Sequence, residues 1–321
     1  MKKILITGCG GFIGSHLAEL FLNKGYTVIG IDNFDPFYPK EQKLQNLNLS
    51  KEYKNFNFFE LDIREPGFYS ALPAGIEFVI HLAAKAGVRP SIAAPLEYVS
   101  TNITGTLNIL EYMRTAGIKK MLFGSSSSIY GNNKKVPFSE SDVTDEPISP
   151  YAFTKKSCEL LNYTYHKLYD LSIVNLRFFT VYGPRQRPDL AIRKFTENII
   201  NGKPIHIFGD GSTARDYTYI ADICAGIFGA FRYLIGRDAI FDSVNIGNHS
   251  PVKLIDLVNV IGNTLNTRPE LKFDSMQPGD VDITYADISR AKELFGYTPQ
   301  TPLEEGIASF VSWYNGNKGI S

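Results

Sequence analysis

Tyr151 and Lys155 stand four residues apart in the stretch Ser149-Pro150-Tyr151-Ala152-Phe153-Thr154-Lys155. In a helix that spacing puts both side chains on one face, a turn from each other. An ammonium beside a phenol favours the phenolate, so the tyrosine can accept a proton near neutral pH. The local signals predict such a helix. Ser149 is a good N-cap, Pro150 suits the first helical position, and Leu160, Leu161, Tyr165 and Leu168 give an apolar stripe running toward Lys167. A Tyr-x-x-x-Lys pattern is also common on ordinary surfaces. Two other stretches of this chain give it chemical context.

The first is Gly124-Ser125-Ser126-Ser127-Ser128-Ile129-Tyr130-Gly131, directly after an apolar strand over residues 119–123. Hydroxyls at the carboxyl end of a central strand sit where ligands bind in open parallel sheets. A serine there can hold a substrate hydroxyl and aim its proton at Tyr151. Ser126 and Ser128 are equal candidates for the main contact, with Ser127 between them. No histidine and aspartate are placed to make any of these serines a nucleophile, which excludes hydrolase chemistry of that kind.

The second is Gly8-Cys9-Gly10-Gly11-Phe12-Ile13-Gly14, between a buried strand that opens at residue 2 and a helix over residues 15–24. Strand, glycine loop and helix form the context of a dinucleotide site. Gly8 allows the tight turn and Gly11 lets backbone approach a pyrophosphate. The helix N-terminus favours the anion, and Gly14 permits close helix–strand packing. The spacing is Gly-x-x-Gly-x-x-Gly rather than the commoner Gly-x-Gly-x-x-Gly. Asp32 closes the second strand, over residues 26–31. A carboxylate there accepts from adenosine ribose hydroxyls and repels a 2′-phosphate, which favours NAD over NADP. Asn33 either assists at the ribose or shapes the turn.

The elements that must position these groups follow in order. A polar helix is expected over residues 40–49 and a third strand over 55–61, ending in Asp62-Ile63. Asp62 is either an adenine-edge contact or an ordinary strand-end carboxylate. A fourth strand over 76–81 ends in His81, taken as a packed structural histidine, and leads into Leu82-Ala83-Ala84, small enough to let a cofactor pass. Arg89 in the following loop meets either an anionic substrate or solvent. One long helix is expected over 95–116. Its Asn102 either holds backbone near the site or is satisfied in the core. A sixth strand over 171–178 completes six strands alternating with helices, which predicts an α/β fold with a doubly wound parallel sheet. Beyond Phe179 the texture changes to loops and short elements with Thr180, Arg185, Arg187 and Arg215, arginines able to grip phosphate or carboxylate. Helices over 252–265 and 302–313 form a smaller C-terminal lobe.

Composition narrows the classes. Lysine plus arginine and aspartate plus glutamate both number 33 in 321 residues, so no net charge points to nucleic acid or a membrane surface. The three cysteines share no metal-like spacing, no metal site is expected, and no disulfide framework is implied. The apolar run at the N-terminus breaks at Gly8, unlike a signal peptide, and no run is long enough to span a bilayer. A soluble, cytoplasmic protein is expected.

Gly8, Gly11, Gly14, Asp32, the serine-rich strand end and the Tyr151/Lys155 pair together resemble the extended short-chain dehydrogenase/reductases, over nearly the whole chain. Asp32-Asn33, His81-Leu82-Ala83-Ala84, Arg215-Asp216-Tyr217 and Pro278-Gly279-Asp280 are similar to the nucleotide-sugar epimerases. Ala86-Gly87-Val88-Arg89, the run from Arg177 to Pro184 and Arg187-Pro188-Asp189 resemble the UDP-glucuronate 4-epimerases in particular. The resemblance implies a Rossmann domain over residues 1–180, with 217–248 returning to it, and a nucleotide-sugar-binding lobe over 181–216 and 249–321. It implies bound NAD and a UDP-sugar whose UDP end meets Arg215 and Asp280. It also implies a homodimer, packed through helices carrying Leu107, Leu110, Leu160 and Leu161. Tyr151 would take the proton from the C4 hydroxyl, Lys155 would support it and hold the nicotinamide ribose, and Ser126 and Ser128 would position the sugar. Thr180, the serine loop and Arg185 would restrain the sugar carboxylate. Dehydratase relatives carry an acidic pair where this chain has Ser127 and Ser128, so elimination of water lacks its acid. Rival expectations are a UDP-glucose or UDP-N-acetylhexosamine 4-epimerase, a UDP-glucuronate decarboxylase, and a catalytically silent NAD-binding regulator.

Overall fold

The structure is a computed structural model that describes residues 2–275 and 281–317. Its strands are β1 (Lys3–Thr7), β2 (Thr27–Asp32), β3 (Phe56–Glu60), β4 (Ile76–His81), β5 (Lys120–Ser126), β6 (Ser172–Phe178), β7 (Thr180–Tyr182), β8 (Ile205–Phe208), β9 (Ala214–Tyr219), β10 (Phe241–Ile246), β11 (Pro251–Lys253) and β12 (Leu271–Asp274). Seven of them form one parallel sheet in the order β10-β6-β5-β4-β1-β2-β3. The expected doubly wound α/β fold is present, extended by β10. The order reverses between β1 and β4, and a crevice opens there at the carboxyl ends of the strands.

Both faces of the sheet are covered, because its strands are apolar on both sides. On one face the helices Phe12–Asn23 and Ile220–Ile235 bring Phe21, Ile227 and Phe231 against Ile4, Phe78 and Val244. On the other, the helices Gly105–Ala116 and Pro150–Tyr169 bring Ile109, Met113 and Tyr165 against Leu5, Val79 and Met121. A separate core of Ile192, Ile205, Leu257, Ile261, Ile307 and Phe310 holds the C-terminal elements together. Two small sheets flank it, β11-β9-β7 and β12-β8.

Three local expectations are corrected. The long helix over 95–116 contains a π-helical turn, Val99–Thr104, centred on Asn102. The polar helix over 40–49 breaks at Leu47 into Lys40–Asn46 and Asn48–Lys51. β5 runs on to Ser126, past the expected end at residue 123, because Ser125 and Ser126 pair with Arg177 and Phe178 of β6. Arg215 itself lies within one of the expected short elements, β9, which pairs with β7 and β11.

Candidate active site

The glycine loop closes as its spacing requires. Gly8 has φ +70°, and a Cβ on it would meet Ala83 N at 2.9 Å. A Cβ on Gly14 would stand 2.2 Å from the Gly8 carbonyl oxygen, so only glycine lets the first helix sit this close to β1. That helix opens at Phe12, behind Gly11, with no side chain capping it. Its leading amides are therefore left for an anion. Thr7 Oγ1 accepts from Leu82 N at 3.1 Å and Ala83 N at 3.0 Å, and bonds His81 Nδ1 at 2.7 Å. These contacts tie the ends of β1 and β4 together at the switch point. His81 also bonds Thr106 Oγ1 at 3.0 Å through Nε2 and is wholly buried. Burial, helped by the Lys155 charge, holds its imidazole neutral, with the pKa pushed down to about 3.

Asp32 is buried at the end of β2. Its Oδ2 accepts from Gly10 N at 3.1 Å and its Oδ1 from Phe34 N at 2.8 Å. Burial pushes the carboxyl up, while Lys43 and the two amides pull it back. Asn33 Nδ2 donates to Asp62 Oδ2 at 2.9 Å. Asp62 also takes Arg64, through Nε to both oxygens at 3.0 Å and through Nη2 to Oδ2 at 2.6 Å. Burial raises the Asp62 carboxyl, but the bonds from Arg64 and Asn33 outweigh it and hold the pKa at about 2.

At the other end of the crevice Ser149 caps the helix Pro150–Tyr169, its Oγ accepting from Ala152 N at 3.1 Å. Tyr151 N donates to Ser91 Oγ at 3.1 Å, and the Tyr151 ring meets Tyr98 edge-on at 6.3 Å. Lys155 is buried. Its Nζ donates to Gly124 O at 2.6 Å and lies 4.9 Å from the centre of the Phe123 ring, which fixes the ammonium under the serine strand. One turn further on, Glu159 accepts from Ser125 Oγ at 2.6 Å and pairs through both oxygens with Arg177, at 3.0 and 2.9 Å. Ser126 Oγ donates to Ser128 Oγ at 3.0 Å and accepts from Ser128 N at 3.2 Å. Ser128's own hydroxyl hydrogen is thereby left for a substrate.

These groups line one cavity of about 490 Å³. Its wall brings together Gly8, Gly11, Phe12, Ile13 and Gly14 with Asp32, Asn33, Ile63, Leu82, Ala83 and Ala84 at one end. Ser126, Ser127, Ser128, Tyr151, Lys155, Thr180 and Arg215 complete it at the other. Arg215 Nη1 donates to Ala214 O at 2.9 Å.

Four expected site residues lie elsewhere. Arg185 turns away, at φ +65°, to pair with Glu19 of the first helix at 2.8 Å. Arg187, two residues on, lines the cavity wall in its stead. Asp189 holds it through Nε at 2.9 Å and Nη2 at 2.8 Å. Asn102 does not line the cavity but holds backbone beside it, the first of its two expected roles. Its Oδ1 accepts from Lys85 N at 2.8 Å, and its Nδ2 donates to Lys85 O and Thr154 Oγ1 at 3.0 and 2.9 Å, so it ties the loop after β4 to the tyrosine helix. Asp62 is engaged with Arg64 and Asn33 behind the wall. Arg89 packs its guanidinium 4.7 Å from the centre of the Phe208 ring, off the cavity wall. Asp280 lies outside the described residues. The sequence reading missed Lys43 and Lys85, which both line the cavity. Lys43 sits in a polar helix with no periodic signal. Lys85 follows Leu82-Ala83-Ala84 directly, and that position was its only signal.

The arrangement can bind an extended dinucleotide and present a hydroxyl to a phenol. Among the described residues no group of three or more His, Cys, Asp or Glu could hold a metal ion, and no helix is long and apolar enough to cross a membrane.

Comparison with known proteins agrees with this geometry. Residues 5–310 match the family model described as GDP-mannose 4,6 dehydratase. A UDP-glucuronate 4-epimerase from Thermodesulfobacterium geofontis is 42% identical, over 99% of this chain and 97% of that protein. The crystal structure of a UDP-glucuronic acid 4-epimerase from Bacillus cereus, in complex with UDP-glucuronic acid and NAD, superposes with a TM-score of 0.92 at 36% identity, over 98% of this chain and 99% of that one. A UDP-glucose 4-epimerase from Thermotoga maritima with UDP-glucose superposes with a TM-score of 0.88 at 33% identity, over 98% and 99%. The chain belongs to the GDP-mannose 4,6 dehydratase family and, within it, to the NAD-dependent nucleotide-sugar epimerases.

Proposed function

We propose that the protein interconverts UDP-glucuronate and UDP-galacturonate by inverting C4 of the sugar, with NAD held throughout. The observation that carries this reading is the shared cavity: the uncapped glycine loop, Asp32, the serine strand end and the Tyr151/Lys155 pair all open onto it. Gly11, Phe12, Ile13, Asp32, Asn33, Leu82, Ala83, Ala84 and Lys155 would hold NAD. Its nicotinamide supplies a hydride acceptor and donor. Tyr151 takes the proton of the C4 hydroxyl, and Ser128, oriented by Ser126, holds that hydroxyl against the phenol. Lys155 keeps a positive charge beside the phenolate and can bond the ribose with the donors that Gly124 leaves. The 4-keto sugar turns about its pyrophosphate and is reduced on its other face, and Tyr151 returns the proton.

A 4-keto uronate carries its ketone beta to the carboxylate and loses carbon dioxide if the C5–C6 bond stands perpendicular to the carbonyl plane. An epimerase must hold the carboxylate away from that geometry. Thr180, the serine loop and Arg187 are placed for it. Asp189 occupies Nε and Nη2 of Arg187, while Nη1 meets no acceptor among the described residues and is available to a carboxylate. This cation on the wall favours glucuronate over uncharged hexoses. The UDP end would lie toward Arg215 and Asp280. Residues 1–180 with 217–248 would form the NAD domain, and 181–216 with 249–321 the sugar lobe. Leu107 and Leu160 are exposed on adjacent helices, and a second copy packed there would make a cytoplasmic homodimer; Leu110 belongs to the core instead.

The test is incubation of the purified protein with UDP-glucuronate and identification of the product. UDP-galacturonate supports the reading. UDP-xylose makes the protein a decarboxylase, and turnover confined to UDP-glucose or UDP-N-acetylglucosamine makes it a hexose epimerase.

A further inference from the structure

The loop Phe34-Asp35-Pro36-Phe37-Tyr38-Pro39, between β2 and the helix Lys40–Asn46, takes no part in the mechanism above. It is braced along its length. Phe34 N donates to Asp32 Oδ1 at 2.8 Å, Asp35 N to Asn33 Oδ1 at 3.0 Å and Phe37 N to Asp35 Oδ1 at 3.0 Å. Lys43 Nζ donates to Asp35 O at 2.9 Å, and Lys85 Nζ comes across from the loop after β4 to within 3.4 Å of Asp35 Oδ2. Phe34 and Tyr38 are buried. Phe37 is 36% exposed, yet its ring stands on the cavity wall. A loop fixed this firmly presents that ring in one place, and a cation meets it there.

The cation is Arg187, whose guanidinium lies 5.6 Å from the centre of the Phe37 ring. Asp189 grips the same guanidinium by Nε and Nη2, along one edge. An edge-on grip leaves the planar group free to tilt, and an aromatic ring beside it limits that tilt. The charge of Arg187 is felt at both Tyr151 and Tyr38, so it stands near the phenol as well as near the aromatic loop. Resting on the reading that Arg187 meets the sugar carboxylate, we propose that Phe37 is a positioning residue for the uronate. Its ring fixes the plane of the guanidinium, and the guanidinium in turn keeps the C5–C6 bond of the 4-keto sugar away from the perpendicular. In the loss that this prevents, the C5–C6 bond breaks, its electron pair passes through C5 to the C4 oxygen, carbon dioxide leaves, and C5 takes up a proton. Without the ring, Arg187 still attracts the carboxylate but holds its direction less firmly.

The test follows the carboxyl carbon. UDP-glucuronate radiolabelled at C6 is given to the whole chain, and the epimer, the released carbon dioxide and the nucleotide retained on the protein are measured together. Phe37→Ala is expected to raise KM by about threefold, the effect of losing a partly exposed cation–π contact. At saturating substrate it is expected to release at least about three times the parental carbon dioxide per epimer formed, with retained nucleotide unchanged. Phe37→Tyr keeps a ring and is expected to restore both values, whereas Phe37→Leu keeps only bulk and is expected to follow alanine. A packing role alone would lower both products alike and be rescued by leucine. Added to Arg187→Ala, Phe37→Ala is expected to change neither value further, because both act through one guanidinium. Parental carbon dioxide release in Phe37→Ala, rescue by leucine, or a full effect on top of Arg187→Ala overturns the role of Phe37. Arg187→Ala with parental KM and product overturns the carboxylate reading, and this inference with it. A parent protein that leaves UDP-glucuronate unconverted overturns the proposed reaction and both readings that rest on it.

Discussion

Glu159→Gln should damage this protein out of proportion to the one atom that it changes. Glu159 and Arg177 are each 5% exposed and joined by two hydrogen bonds, at 3.0 and 2.9 Å. Arg177 also donates to Tyr130 Oη at 3.0 Å and lies 5.2 Å from the centre of that ring, so two residues fix its position. An amide cannot accept through both ends, and the guanidinium then stays buried without its counter-charge. Breaking such a pair from one side costs about 3–5 kcal/mol. Total stability is typically about 5–15 kcal/mol, so the loss is a large fraction of it. At roughly 2.1 cal/mol/K of unfolding entropy per residue, a chain of this length should lose about 4–7 °C in Tm. Urea unfolding of the parent and the variant gives the loss directly. Glu159→Leu with Arg177→Met removes both charges and should recover most of it. The same carboxylate accepts from Ser125 Oγ and lies a turn beyond Lys155, so turnover should fall while bound nucleotide is retained. A loss under about 1 kcal/mol would refute the reasoning, because the pair would then behave as an exposed one.

The two loop arginines should separate cleanly. Arg187→Ala is expected to raise KM for UDP-glucuronate by about tenfold or more, since it loses a charged hydrogen bond to substrate, and also to lower stability, since Asp189 loses its partner. Arg185→Ala leaves Glu19 without its partner and should lower urea stability by about 1–3 kcal/mol with KM nearly unchanged. The reverse pattern would restore Arg185 to the site. Acid should also destabilise the fold through His81. Its pKa is about 3 when folded, well below its ordinary value, so between those limits only the unfolded chain takes up the proton. Stability therefore falls as pH falls, by about 2 kcal/mol from pH 7 to pH 5 for this group alone. A His81 ring resonance that titrates near pH 6 in the folded protein would contradict this.

The regular parts of the chain were legible because local physics sets them. Ser149 and Pro150 announce a helix start on their own, and Gly14 is demanded by the distance between the first helix and β1. The buried strands show as apolar runs bounded by turns. The errors share a different cause. Arg185 and Arg187 occupy one irregular loop, and no periodicity says which of the two faces the cavity. The answer lies with Glu19, far away in sequence, which captures the first, and with Asp189, which holds the second on the wall. For Asn102 two readings stood open, and the choice between them lies with partners from the loop after β4 and from the tyrosine helix, contacts only the folded chain makes. Lys43 resembles any surface lysine of a polar helix until the helix is laid against Asp32 and Tyr38.

The central claim is that Tyr151 and the bound coenzyme remove hydrogen from C4 and return it there on the opposite face. UDP-glucuronate deuterated at C4, converted in ordinary water, tests it most directly. The account predicts UDP-galacturonate that keeps its deuterium at C4, and, when unlabelled substrate is run in heavy water, no deuterium on any sugar carbon. Loss of the label, or its appearance at C5 from the solvent, would contradict the account.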